Sequence, residues 1–171
     1  MQSLLLALGL LFLPGVWMNA PMPDGFVTAY RQDAQAGRIE ERIARGETLD
    51  DWSRMVTLIR LNGAMPAEAF SESFAMALRR NCPGAVVAPR GAARLGGLDA
   101  VAGRIDCPLN PETGKPETFF YRVVATDGAL LMAQVAFRHV PDATETGWAT
   151  VQLDAVVLCR SGSPDLRCSE S

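Results

Sequence analysis

The chain has 171 residues, 49% of them apolar and 20% charged, which supplies one hydrophobic core, excludes a globally disordered chain and leaves little room for a second domain. Nineteen acidic and 16 basic residues give a net charge of −3, which excludes the basic footprint of a nucleic-acid or anionic-lipid surface. Lys115 is the single lysine, so arginine carries nearly all of the positive charge.

Residues 1–20 are uncharged and leucine-rich and end at Asn19 and Ala20, just before Pro21. This is the pattern of a secretory signal peptide, and it is short for a membrane span. The reading predicts cleavage after Ala20, a single domain over residues 21–171, and no membrane insertion once the leader is gone. The alternative is a leader retained as an uncleaved anchor, since Met18 is large for the −3 position. No cysteine precedes Cys82, which excludes a lipidated N-terminal cysteine.

Residues 26–30 and 38–43 read as two short strands around the turn-forming pair Ala36-Gly37. Thr48 is placed to cap a brief helical turn, with Asp51 three residues on and Trp52 at its end. Residues 53–61 alternate as a strand, with Met55, Thr57, Ile59 and Leu61 on one face and Val56 and Leu58 on the other. Asn62-Gly63 stops it. Pro66 opens a helix in which Phe70, Phe74, Ala77 and Leu78 recur at helical spacing until Asn81-Cys82-Pro83-Gly84 ends it. Residues 89–97 read as a loop, and residues 101–107 as a strand. Residues 118–125 and 129–139 form a long hairpin about Thr126-Asp127-Gly128. Residues 144–158 read as a helix carrying Trp148, although 155–158 also suit a strand. The expected fold is α+β, an antiparallel sheet of five to six strands with two helices packed on one face.

Cys82, Cys107, Cys159 and Cys168 form an even set that allows three connectivities. The reading favours Cys82 with Cys107, and Cys159 with Cys168, whose intervening loop is rich in turn formers. A metal site is not expected, because no paired-cysteine spacing occurs and His139 is the only histidine. A redox role is not expected either, since there is no CxxC.

The segment GETLDDWSRMVT at 46–57, with RIDCPLNP at 104–111 and GKPETF at 114–119, resembles a group of small exported bacterial proteins of unassigned function. The layout also resembles the Mog1/PsbP-like architecture, which implies an accessory or binding module. The resemblance implies no catalytic residues.

Two groups are candidate sites. Trp52 and Arg54, with the carboxylates Glu47, Asp50 and Asp51, form the first, where an indole wall and charges would orient a polar ligand. The second is the proline-rich segment 108–117, with Asn110, Thr113 and Lys115, a rigid loop suited to recognition. His139 has no evident partner and reads as a surface residue at a strand end. The sequence weighs against an enzyme and implies no cofactor. It points to a non-catalytic periplasmic or secreted binding or accessory domain, its partner another envelope protein or a small apolar ligand. The alternatives are a hydrolase of envelope material working through Glu47, Asp50 or Asp51, and a purely structural envelope protein.

Overall fold

A computed structural model describes residues 15–160 and 162–168, so most of the expected leader lies outside the described residues. Ten strands and two helices follow in order: β1 (Trp17–Asn19), β2 (Phe26–Ala34), β3 (Gly37–Ala44), β4 (Arg54–Asn62), α1 (Ala67–Asn81), β5 (Val86–Val87), β6 (Gly91–Leu95), β7 (Leu98–Asn110), β8 (Lys115–Thr126), β9 (Ala129–Phe137), α2 (Ala143–Asp154) and β10 (Val157–Cys159). Eight strands make one antiparallel sheet in the order β2-β3-β4-β9-β8-β7, with β5 and β6 both pairing to the outer edge of β7. The sheet therefore exceeds the expected five to six strands. Residues 91–95, read as loop, are strand β6, because small residues still pair along the edge of a long neighbour. The remaining two strands, β1 and β10, pair with each other.

The helices lie on opposite faces of the sheet, not on one. Along β9, Leu130, Met132 and Ala136 join a core cluster with Phe70, Phe74 and Leu78 of α1, whereas Leu131, Ala133, Val135 and Phe137 join a second cluster with Trp148, Ala149 and Leu153 of α2. Successive side chains of a strand point to opposite faces, so these two clusters are the two sides of one sheet. β4 divides in the same way, with Met55, Ile59 and Leu61 toward α1 and Val56 and Leu58 toward α2.

On the α1 side, the fully buried Tyr121 hydroxyl shares a 2.8 Å hydrogen bond with Ser71 of α1. Its ring lies across Gly103 on the neighbouring strand, where a Cβ would sit 2.2 Å from ring atoms. On the α2 side, Asp142 accepts from the Glu145 amide at 2.8 Å and Glu145 returns the contact to the Asp142 amide, which sets the start of the helix. The helix stops at Asp154, and 157–159 become strand, the conformation preferred by the β-branched Val157. Disulfides join Cys82 to Cys107 and Cys159 to Cys168. The first ties the end of α1 to β7.

A charged cluster sits on β3. Glu40 accepts from Arg42 at 2.6 Å and from Arg31 at 2.7 Å, and both Glu40 and Arg42 are buried. Burial raises the Glu40 pKa, but the hydrogen bonds and charges of Arg42 and Arg31 outweigh it and hold the group below its ordinary value. A carboxylate whose pKa is lowered on folding contributes stability that is present above its unfolded pKa and lost as pH falls through the folded one. Glu40→Gln is expected to cost about 1.5–3 kcal/mol at pH 7, with the gap to the unaltered protein closing on acidification. Denaturant unfolding at a series of pH values checks this. A gap that widens toward low pH contradicts it.

Candidate functional site

The two segments singled out in the sequence meet at one end of the sheet. The turn between β3 and β4 carries Glu47, Thr48, Asp51, Trp52 and Ser53. The β7–β8 hairpin tip supplies Lys115, and the residues just after β9 supply Arg138 and His139. Together they line an open cleft of about 380 Å³. The 108–117 segment is not a free loop. Its ends belong to β7 and β8, which close on each other through Asn110 and Lys115 after a register shift.

Thr48 does bond the Asp51 amide, at 3.1 Å, but no helix follows. The Asp51 carboxylate turns away from that turn and binds Lys115 Nζ at 2.9 Å, so the two candidate segments are latched across the cleft by an exposed ion pair. The Lys115 hydrogen bond and charge lower the Asp51 pKa. Beneath the latch, Trp52 is 8% exposed and is capped by the Arg138 guanidinium, 4.1 Å from the indole centroid. Arg138 donates to Glu117 at 3.2 Å and to the Asp50 carbonyl at 2.6 Å. Glu117 also accepts from Asn110 at 2.9 Å and from Thr113 at 3.5 Å. Asn110 and Thr113 thus serve as props for Glu117, which holds the arginine over the tryptophan. At the other wall Ser53 donates to Glu47 Oε1 at 2.6 Å, while Glu47 Oε2 is buried with no hydrogen-bond partner.

Arg54 does not belong to this cleft. Its guanidinium packs over Trp148 at 5.0 Å and Phe26 at 5.8 Å, against the α2-side core, because Arg54 shares a face of β4 with Val56, two residues on. His139 is not partnerless, as its Nε2 lies 2.9 Å from both oxygens of Glu145. Asp50 contributes its backbone carbonyl to Arg138 and does not line the cleft.

Glu117 and Arg138 were missed by the sequence reading, although a signal existed. The Thr126↔Ala129 pairing fixes the β8–β9 register, and counting nine residues outward along each strand sets Glu117 beside Arg138. A buried pair at a strand end, next to a tryptophan, is legible once that register is drawn.

No family model matches the chain, and no curated protein matches it. Solved structures similar to it include LpqN, involved in cell envelope biogenesis of Mycobacterium tuberculosis, at 20% identity over 85% of this chain and 84% of that one, TM-score 0.47. A second is the yeast Saccharomyces cerevisiae Ran-binding protein Mog1p, at 11% identity over 88% and 81%, TM-score 0.49. A third, from Bacteroides thetaiotaomicron, is 10% identical over 86% of this chain, which spans 47% of that one, TM-score 0.48. Among the described residues, no helix is long and apolar enough to cross a membrane.

Proposed function

We propose that this protein is a non-catalytic binding or accessory domain that is exported to the periplasm or beyond, where it holds another envelope protein at the cleft between residues 46–53 and the β7–β8 tip. The observation that carries this reading is the convergence of two distant segments, 64 residues apart at Asp51 and Lys115, on one exposed and rigidly propped polar surface. Two disulfides suit an oxidising compartment. Recognition by elements fixed on a sheet end is the usual arrangement for binding loops.

The geometry favours a polar protein partner over a small apolar ligand, because the one large aromatic at the site is buried and capped by Arg138. It also favours binding over hydrolysis. Of the three candidate carboxylates, Asp50 does not line the cleft and Asp51 is held by Lys115 at 2.9 Å, so no free carboxylate pair faces it.

Reversing the latch tests the proposal. Native mass spectrometry on protein taken gently from its own envelope is expected to show a second protein bound to the unaltered chain and lost from Lys115→Glu. The melting temperature should stay unchanged, because an exposed ion pair contributes little to stability. Equal retention by both proteins, or a bare monomer in both, overturns the reading.

A further inference from the structure

We infer that residues 16–20 are a permanent part of the folded domain, and that removal of the leader takes place upstream of Val16, not after Ala20. The inference rests on the export reading and is independent of the cleft.

Five sets of contacts build this segment into the molecule. β1 pairs with β10 along its whole length, Trp17 opposite Cys159 and Asn19 opposite Val157. Val16, Met18 and Ala20 pack on the α2-side core, where alternate residues of a strand share a face. The Val16 carbonyl accepts from Arg60 Nε at 2.8 Å. The Ala20 carbonyl accepts from Arg42 Nη1 at 2.9 Å, with the Pro21 carbonyl a longer second acceptor at 3.4 Å, and the segment covers Arg42, which is 5% exposed. Asn19 Nδ2 donates to the carbonyl of Arg167, which adjoins the cysteine that closes the Cys159–Cys168 bridge. The C-terminal disulfide loop is therefore a clasp over the N-terminal strand.

Electrostatics point the same way. Cleavage after Ala20 would create an α-ammonium group on Pro21, in the wall of a hollow of about 600 Å³ lined by Arg31, Arg42 and Arg167. The single acid of that wall, Glu40, is already bonded to Arg31 and Arg42. The new charge would join Arg31, Arg42 and Arg167 where both nearby acids, Glu40 and Asp165, are already engaged by those arginines. Cleavage upstream of Val16 leaves both arginine-to-carbonyl bonds and the ladder intact.

The test is the N-terminus and amide exchange of the exported protein. Intact mass and N-terminal peptide mapping of the envelope fraction are expected to place the first residue at or before Val16, with the β10 amides slow to exchange. In the full chain, Met18→Asp is expected to strip that protection from residues 157–159 while leaving β8 and β9 protected. Arg60→Ala, remote from the leader, is expected to weaken the same amides, so the result does not hang on export of the first variant. An exported chain beginning at Pro21 or later, or variants that leave β10 exchange unaltered, overturns the inference while the export reading stands. A chain confined to the cytosol with its leader intact overturns both.

Discussion

Glu117→Ala is expected to destabilise the protein by about 3–5 kcal/mol, the loss typical of a buried ion pair deprived of one member. The Glu117 and Arg138 side chains are only 6% and 9% exposed, so the arginine left behind has little access to water. The substitution also removes the acceptor of Asn110 and Thr113, which loosens the β7–β8 tip that carries Lys115. Glu117→Gln, which keeps the shape and one acceptor, should fall between the alanine variant and the unaltered chain. Replacing both members together, Glu117→Leu with Arg138→Met, should recover most of the loss, because an apolar pair of similar volume leaves no unpaired charge. Denaturant unfolding of the three variants decides the matter. A loss below about 1 kcal/mol for Glu117→Ala would show that the arginine is satisfied without it.

The long hairpin shows how far sequence reasoning reached and where it stopped. Asp127-Gly128 marked the turn correctly, and Gly128 takes the positive φ, 79°, that the turn requires. The strand after it, ALLMAQVAF, has no polar alternation, and all its residues except Gln134 are buried. A strand apolar on both sides needs cover on both sides, which is a direct argument for helices on opposite faces. The one-face arrangement neglected that argument. Strand β6 was missed for a different reason, since Gly91, Ala92 and Ala93 carry no hydrophobic pattern and pair only because β7 is 13 residues long and offers an edge.

At the site, residue types were legible and partners were not. Trp52, Asp51 and Lys115 stood out by chemistry, yet nothing local says that Lys115 reaches Asp51, because a contact 64 residues apart depends on the whole sheet order. Arg54 was grouped with Trp52 by nearness in sequence, but Trp52 precedes β4 and packs on the α1 side, whereas Arg54 opens β4 on the face of Val56. The cysteine pairing was more accessible, since a nine-residue separation rich in turn formers constrains one bridge and leaves the other pair determined.

Trp52→Ala is expected to cost about 3–5 kcal/mol, the range for truncating a large buried aromatic, and to lower the melting temperature by roughly 6–20 °C. The indole is the floor of the cleft, and its removal leaves Arg138 above a cavity while Glu117 and the Asp50 carbonyl still hold the guanidinium in place. The ring–cation contact itself is isolated by a double-mutant cycle of Trp52→Ala and Arg138→Ala. At 4.1 Å and largely shielded from water, its coupling energy should be about 0.5–2 kcal/mol. A coupling near zero with a large single loss would mean that the tryptophan serves as core packing alone. A single loss under about 1 kcal/mol would place the ring outside the core. In either case Lys115 and Asp51 remain latched across the cleft, so partner retention by Trp52→Ala reports whether the surface binds through its charged rim or through the shape its floor imposes.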